Sequence, residues 1–226
     1  MGETQAPAAL IRSIYGKLLR RFGPQHWWPG DTPFEVAVGA VLTQSTAWTN
    51  AHRAVLELRG RGLLHPARLS RVPRRRLAGW IRSSGYFNQK ADRLLALSRF
   101  IQRRYGGSMA RMRRVPASRL REEFLAIPGI GPETADSILL YALEKPAFVV
   151  DAYTRRVLAR HSLIRWDAAY GEIQDLFLEA LPKSPKLFNE YHALFVALGK
   201  GFCRRTRPRC EGCPLQGVGR LVLETR

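Results

Sequence analysis

Helical periodicity runs through nearly the whole chain and excludes most folds other than an all-α one. Apolar residues recur every three or four positions over 8–22, 89–105 and 185–198, whereas strand-like alternation is almost absent. The short apolar run at 147–150 is too isolated to make a sheet. We therefore expect an all-α protein. Further helices are predicted over residues 34–58 (with a break at 44–46), 66–72, 75–82, 117–126, 132–143, 152–161 and 170–181.

The chain is strongly basic. It has 37 Lys and Arg against 18 Asp and Glu, a formal net charge of +19 over 226 residues. Such a charge on a folded domain favours a polyanionic partner, and nucleic acid first of all. An arginine-rich, GC-rich genome would also raise the charge, and composition alone does not separate the two explanations. No segment is apolar enough to span a membrane, and the first ten residues lack the pattern of a secretory signal.

A Pro- and Gly-rich turn interrupts the helical pattern between residues 125 and 136. Pro128 and Gly129 predict a tight turn, Gly131 adds a second permissive position, and Pro132 suits the first position of a helix. Such a turn exposes backbone amides beside the positive end of a helix, an arrangement that suits a phosphate. A plain corner between two helices would use the same residues.

The turn belongs to a longer pattern that ends at Asp151. A second helix follows it, then a Pro-containing loop and the sequence Ala-Phe-Val-Val-Asp. The stretch 127–151 resembles the helix–hairpin–helix DNA glycosylase superfamily, typified by endonuclease III. The resemblance implies a two-lobed fold: a six-helix domain over 33–145, and a second lobe made of 1–32 and 146–226. It also implies that Asp151 is catalytic, although alone it would pass for a helix N-cap.

Three more segments resemble this family, two in the first half of the chain and one around the cysteines. In Val41-Leu-Thr-Gln-Ser-Thr46, Gln44 takes the position of the residue that enters the duplex beside an extruded base. A polar residue that satisfies backbone groups at a helix break is the alternative. Residues 84–91 resemble a segment that contacts the DNA backbone, and Lys90 there is expected to add charge for phosphates. The hairpin amides of Gly129 and Gly131 are expected to grip the same backbone.

The resemblance implies that the chain excises damaged bases from double-stranded DNA. A base must leave the stack before its glycosidic bond can be reached, and a carboxylate such as Asp151 would stabilise the developing positive charge on the sugar. In endonuclease III a lysine attacks the sugar and goes on to cut the strand, but that position is Glu133 here. Because a carboxylate cannot form an imine, we expect a monofunctional glycosylase without AP lyase activity.

Aromatic residues suggest the class of base. Trp27, Trp28, Pro29 and Trp48 could form a π-rich slot that favours a cationic base such as 3-methyladenine, although tryptophans are often core residues. Lys200 comes near this pocket in the family, or else faces a phosphate. Together these segments most resemble the endonuclease III-like 3-methyladenine DNA glycosylases.

The three cysteines are spaced as in the iron–sulfur loop of the family. Cys203, Cys210 and Cys213 match the first three positions of C-x6-C-x2-C-x5-C, and the fourth falls on Gly219. Three thiolates could hold a [4Fe–4S] cluster with a non-cysteine fourth ligand, or a three-iron cluster. The alternative is a loop that has lost its metal and serves as a basic DNA-binding arm, with Arg204 and Arg205 among its arginines.

Two other functions remain open at this stage. The chain could be a glycosylase of the same fold for mismatched, deaminated or oxidised bases, or a damage-binding protein without catalytic activity. For the binder, a carboxylate facing DNA would serve no purpose. We expect a monomer without a membrane partner, located in the cytoplasm with the nucleoid.

Overall fold

The computed structural model describes residues 7–219 and 221–222, and every regular element in that part of the chain is helical. The all-α expectation is therefore confirmed. A 3₁₀ turn, Arg82–Ser84, precedes the sixth α-helix, and a π-helical segment, Ile138–Ala142, continues the ninth. The α-helices of the described residues are α1 (Pro7–Phe22), α2 (Pro33–Leu42), α3 (Trp48–Gly60), α4 (Pro66–Leu69), α5 (Arg74–Trp80), α6 (Phe87–Tyr105), α7 (Met109–Arg113), α8 (Ala117–Leu125), α9 (Pro132–Ser137), α10 (Ala152–Arg160), α11 (Tyr170–Ala180) and α12 (Pro185–Gly201).

The chain divides into two compact units. The central unit is Trp28–Ala147, and the terminal unit comprises the described parts of Met1–Trp27 and Phe148–Arg226. The sequence placed these boundaries a few residues away, at 32/33 and 145/146. In the part of the chain described here, no helix has the length and apolar character needed to cross a membrane.

The core of the central unit is built around α2. Thr32 caps this helix by accepting a hydrogen bond from the Glu35 amide at 3.2 Å, and Pro33 occupies the first turn. From Phe34 to Leu42 every residue of the helix is buried, and none except Glu35 is charged. Helices α3 and α6 and the π-helical segment pack against it. The loop that follows α2 therefore begins at the end of a fully packed helix.

The hairpin turn lies between α8 and α9. The Ile130 amide donates to the Ile127 carbonyl at 3.0 Å, and Gly129 has a φ of +83°, which is the left-handed value that favours glycine at such a turn. The two flanking helices are tied by a bidentate ion pair, since Arg121 of α8 donates to both carboxylate oxygens of Asp136 at 2.8 and 3.1 Å. Asp136 is fully buried. The hairpin is thus held by its turn geometry and by one buried carboxylate.

The terminal unit is organised by an aromatic core. Phe148 and Phe177 stack with ring centroids 3.7 Å apart, and Tyr191 stacks on Phe195 at 4.9 Å. The Tyr191 hydroxyl donates to the Ile11 carbonyl at 2.7 Å, which joins α12 to α1. This core fixes the start of the segment that leads to Asp151.

The helix boundaries differ from the sequence-based expectations in a few places. The apolar run at 34–58 is two helices with a break at residues 43–47, close to where the break was expected. Helix α6 begins two residues earlier than predicted. Helix α7 was not predicted, because only Met109 and Met112 face the core and the other residues of this short helix are Ala and Arg.

Removing the ion pair of the hairpin should cost more stability than removing a surface ion pair. Arg121→Met leaves the Asp136 carboxylate buried without its cation, so we expect a loss of about 3 kcal/mol in the free energy of unfolding. Arg119→Met, on the same helix, removes an exposed pair with Glu123 and should cost less than about 1 kcal/mol. Urea denaturation measures both.

A second substitution checks the cause. Asp136→Asn in the Arg121→Met background removes the stranded charge and should recover part of the loss. A double variant no more stable than Arg121→Met alone would show that the buried charge is not responsible.

Candidate active site

Asp151 stands where a buried extended segment enters a helix. The Gln174 side-chain amide donates to the Phe148 carbonyl at 2.7 Å, and the Val150 amide donates to the Tyr170 hydroxyl at 3.3 Å. These bonds hold the segment before α10. Asp151 is the N-cap of α10, and its Oδ1 accepts a hydrogen bond from the Thr154 amide at 2.7 Å. The residue therefore does serve as a cap, and its second oxygen remains for other contacts.

That second oxygen faces a histidine. Asp151 Oδ2 lies 3.4 Å from Nε2 of His192 on α12, and the two side chains are only 12% and 6% exposed. Burial raises the pKa of the Asp151 carboxyl, but His192 and the Thr154 amide outweigh burial, so the pKa is lower than its ordinary value. Asp151 is thus a buried, ionised carboxylate. Sequence reasoning missed His192, because nothing in the pattern of α12 distinguishes it from a core residue.

Two of the predicted pocket residues pair within the terminal unit. The Lys200 ammonium lies 5.6 Å from the centroid of the Trp27 ring, a cation–π distance. Nearby on α10, the ring of Tyr153 lies against Gly199, so closely that a Cβ on the glycine would be 2.2 Å from the ring. Tyr153 follows Asp151 by two residues and was not among the predicted site residues.

Two other predicted pocket residues meet in the central unit. Trp28 packs edge-to-face against Trp48, with centroids 5.1 Å apart and planes at 85°. Tyr141, from the π-helical segment, lies 5.0 Å from Trp28 and was not predicted. Trp48 also stacks on His52 at 5.6 Å. Both tryptophans are half-buried, and Pro29 is exposed. Trp28 and Trp48 therefore do meet, but edge-to-face and not as a parallel pair.

Gln44 lies in the loop after α2 and is bound to the hairpin. Its Nε2 donates to Thr134 Oγ1 at 2.7 Å and to the Gly129 carbonyl at 3.3 Å. Arg93 of α6 donates to Gln44 Oε1. Gly129 and Gly131 are both exposed at the turn, as the prediction of a phosphate grip requires. The loop of Gln44 and the hairpin thus form one hydrogen-bonded surface.

The prediction that Lys90 contributes charge to a DNA-binding surface was wrong. Lys90 is fully buried, and its ammonium donates to the carbonyls of Leu42 at 2.9 Å and Ser84 at 2.6 Å. Burial, with a smaller effect from the charge of Arg93, lowers the pKa of Lys90 to about 8. The residue joins the end of α2 to the 3₁₀ turn. Its spacing could have revealed this, because Lys90 shares a helical stripe with Leu94 and Leu97.

Tyr86 is an exposed aromatic residue beside this joint. It is 64% exposed and has a φ of +44°, a conformation that non-glycine residues rarely adopt. It directly precedes α6 in the segment expected to contact the DNA backbone. An exposed ring held in a strained turn is suited to stacking on a base.

The cysteine loop is organised by a buried arginine that the sequence did not reveal. Arg160 is 5% exposed, and its guanidinium donates to the carbonyls of Arg204 at 2.6 Å and Arg205 at 2.9 Å. It also lies 3.4 Å from the sulfur of Cys203. The side chains of Arg204 and Arg205 are exposed. The loop therefore presents positive charge outward around a buried cation.

The three cysteines line one cavity of about 280 Å³ in the terminal unit. Burial raises the pKa of the Cys213 thiol, and the nearby Cys203 and Cys210 add to the rise. At the fourth position of the family pattern, Gly219 has a φ of +60°, and a Cβ there would lie 2.4 Å from the His161 carbonyl. Four thiolates thus do not fit this loop. The Arg160 guanidinium lines the same cavity as the three thiols, and its positive charge would suit an anionic group there.

No group of three or more His, Cys, Asp and Glu side chains within the described residues is arranged to hold a metal ion. His161 and Glu211 line the same cavity as the three cysteines, but these side chains as placed do not form a site for a single zinc ion.

A family comparison decides the identity of the chain. The model of the HhH-GPD superfamily of base excision DNA repair proteins matches residues 38–183, which is more than half of the 226 residues. The chain belongs to the HhH-GPD superfamily. This HhH-GPD protein is accordingly a DNA glycosylase, a hydrolase of N-glycosyl bonds, and it binds DNA.

Individual relatives agree with this assignment. The HhH-GPD chain is 44% identical to "Putative DNA repair glycosylase MJ1434" of Methanocaldococcus jannaschii, over 92% of this chain and 94% of that protein. It superimposes on a non-covalent endonuclease III–DNA complex with a TM-score of 0.81 and 26% identity, covering 94% and 95% of the two chains. With the 3-methyladenine DNA glycosylase MagIII of H. pylori, bound to 1,N6-ethenoadenine, the TM-score is 0.73 at 27% identity, covering 86% and 97%.

The double role of Asp151 predicts different stability losses for two substitutions. Asp151→Ala removes the cap of α10 and should cost about 1 kcal/mol, whereas Asp151→Asn keeps an acceptor for the Thr154 amide and should cost less. Thermal denaturation near pH 7 measures both.

The pH dependence follows from the lowered pKa. Because the folded-state pKa lies below the unfolded value of about 3.9, the stability from the ionised form is complete above that value. It is lost as the pH falls through the folded-state pKa. The stability gap between wild type and Asp151→Asn should therefore close below about pH 4. A gap that stays constant down to pH 3 would contradict an ionised Asp151.

Proposed function

We propose that this protein is a monofunctional DNA glycosylase that removes alkylated purines such as 3-methyladenine and leaves an abasic site. The observation that carries the proposal is the buried, ionised carboxylate of Asp151, held between the Thr154 amide and His192. A non-catalytic damage-binding protein would pay the desolvation cost of this buried charge without using it.

The carboxylate supplies electrostatic stabilisation. Departure of the base leaves positive charge on the sugar, and a fixed negative charge of low proton affinity stabilises that charge without being protonated itself. The low pKa of Asp151 keeps it ionised throughout the neutral range. The same oxygen atoms can orient the water that attacks the sugar. Neither role requires Asp151 to move a proton before the bond breaks.

The absence of lyase activity rests on Glu133. This residue is exposed in the first turn of α9, at the position where the endonuclease III pattern has the attacking lysine. A carboxylate cannot form the imine that leads to strand cleavage. An acidic residue in a first turn instead stabilises the helix.

Preference for an alkylated purine is supported by the aromatic residues. An N3-methylated adenine is cationic and has a weakened glycosidic bond. An enzyme that excises it therefore has to recognise the positive charge of the base, and has little need to activate the base as a leaving group. Trp28, Trp48 and Tyr141 provide π-rich surface in the central unit. The likeness to a 3-methyladenine DNA glycosylase structure points in the same direction.

A second candidate is a glycosylase of the same mechanism for deaminated or mismatched bases. The perpendicular packing of Trp28 and Trp48 favours it, since two rings at 85° do not offer the two parallel aromatic faces that would select a cationic base over a neutral one. Asp151 and Glu133 would act in the same way on either substrate. The two candidates therefore differ only in the base that is released.

The DNA-contact residues fit the requirements of base extrusion. We propose that the hairpin amides of Gly129 and Gly131 grip a phosphate, that Gln44 fills the gap left by the base, and that Tyr86 stacks beside it. Arg204 and Arg205 would add phosphate contacts from the cysteine loop. We retain the pairing of Trp27 with Lys200 as a candidate part of the base pocket.

We further propose that Cys203, Cys210 and Cys213 hold an iron–sulfur cluster in which one iron lacks a cysteine ligand. The cluster would order the loop and its arginines, as Arg160 does from the other side. It would take no part in breaking the glycosidic bond.

Base release from a panel of duplexes tests the function. Wild type should release 3-methyladenine from methylated DNA faster than it releases uracil or mismatched thymine. Asp151→Asn should lose at least about 100-fold in rate while it keeps its DNA affinity, because transition-state stabilisation is lost and repulsion from phosphates is relieved. Asp175→Asn, an exposed acid on α11, is the matched control and should excise at the wild-type rate.

Each other outcome has a definite reading. Fastest release of uracil or thymine would replace the alkylpurine assignment with the second candidate. If wild type and Asp151→Asn both bind DNA tightly and neither releases a base, only the damage-binding function would remain.

Iron analysis of anaerobically purified protein tests the cluster. Iron and inorganic sulfide should be present in about equal amounts, and oxidation should give the electron paramagnetic resonance signal of a three-iron cluster, because one iron has no thiolate. Gly219→Cys should not complete the site and should lower stability, since its φ of +60° and the His161 carbonyl exclude a side chain. Protein free of iron, with an ordered loop and full DNA affinity, would show instead that the loop is a basic arm.

A further inference from the structure

The side chain of Gln44 is fully engaged in the free protein. Its amide nitrogen donates to Thr134 and to the Gly129 carbonyl, and its oxygen accepts from Arg93. A residue that fills a gap in the base stack has to extend away from its own protein. In this conformation the Gln44 amide is bound to the hairpin and cannot do so.

Arg93 is placed to control this conformation. Its aliphatic part and its Nε lie directly over the turn, where a Cβ on Gly129 would be 2.6 Å from Nε and 2.7 Å from Cγ. Among the described residues, Arg93 has no carboxylate partner, and its hydrogen bond to Gln44 is its polar contact. An uncompensated guanidinium therefore lies on the same turn whose exposed amides are suited to a phosphate.

We propose that Arg93 is a latch that holds Gln44 on the hairpin and releases it when a DNA phosphate binds there. A phosphate at the turn offers the guanidinium two charged acceptor oxygens, which bind it more strongly than the neutral oxygen of an amide does. Once Arg93 turns to the phosphate, Gln44 loses its charge-assisted hydrogen bond and is free to extend. Grip on the backbone then precedes entry of the side chain into the duplex.

Such a latch would keep Gln44 out of the base stack while the protein searches DNA for damage. Without a phosphate at the hairpin, Gln44 stays bound to Thr134 and Gly129 and does not probe the stack. With one, extension becomes favourable at the place where the protein is already held. The inference rests on the proposed roles of Gln44 and of the hairpin, but it is independent of which base is excised.

Stopped-flow fluorescence tests the latch on DNA that has no base to excise. The duplex carries a stable abasic analogue opposite 2-aminopurine, so entry of the side chain changes the fluorescence. At saturating DNA the unimolecular step after binding includes the transfer of Arg93 from Gln44 to the phosphate, so Arg93→Met should speed this step about tenfold, the effect of losing one charge-assisted hydrogen bond. It should also lower the slope of affinity against salt concentration by about one, the loss of one phosphate contact.

Two further variants separate the latch from a simple loss of charge. Thr134→Val removes an acceptor for Gln44 without changing charge, so it should speed insertion several-fold and leave the salt slope unchanged. Arg103→Met removes an exposed cation from the same helix and should leave the insertion rate at the wild-type value. Thermal denaturation confirms that each variant is folded.

Two results would overturn the proposal in distinguishable ways. An insertion step that is unchanged or slower in Arg93→Met and Thr134→Val would show that Arg93 does not restrain Gln44. A full fluorescence change in Gln44→Ala would show that Gln44 does not enter the duplex, which removes the proposed role as well as its latch. The release of one base or another from the lesion panel would affect neither reading.

Discussion

A buried carboxylate that must stay ionised is the constraint on which the terminal unit depends. Desolvation alone would raise the pKa of Asp151, so its charge survives only while the Thr154 amide and His192 remain in place. That requirement fixes the first turn of α10 and its distance from α12. It also explains why the segment before Asp151 is anchored by Gln174 and Tyr170. The structure that surrounds this one charge is therefore part of the proposed active site.

Elsewhere, buried cations hold the loops that face outward. Lys90 joins the end of α2 to the 3₁₀ turn, and Arg160 gathers the carbonyls of the cysteine loop. In the hairpin the buried charge is instead the Asp136 carboxylate, which pairs with the partly exposed Arg121. A buried charge is costly unless its hydrogen bonds are satisfied, so each of these loops is tied to a single geometry. Part of the positive charge that the sequence suggests for binding DNA therefore holds these loops instead.

Local pattern was enough to predict the helices other than α7, the hairpin turn and Asp151 at the start of a helix. Each depends on residues near one another in the chain: apolar spacing, the Pro and Gly positions, and a cap at a helix start. The partners of these residues could not be predicted in the same way. His192 lies 41 residues after Asp151 (192 − 151), and Arg93 lies 49 residues after Gln44. Contacts of that kind are set by helix packing, which periodicity does not specify.

Lys90 shows where a local rule gave the wrong result. Charged residues on an amphipathic helix are assumed to face water, yet Lys90 occupies the apolar stripe of α6. Its position on that stripe was a better guide than its charge. At Gly219 the sequence was correct but incomplete. It shows that the fourth cysteine is missing, whereas only the backbone reveals that a side chain has no room there.

The central claim is that the protein, with Asp151 as its catalytic residue, only hydrolyses the glycosidic bond. With Glu133 at the position of the lysine, it does not cut the DNA strand. Product analysis of a single-turnover reaction tests it most directly, with sodium borohydride added to one half of the sample to trap any imine. The account predicts free base, an unbroken strand that is cut only when the abasic site is later treated with alkali, and no covalent protein–DNA adduct. A borohydride-trapped adduct, or a strand cut at the same rate as the base is released, would contradict it.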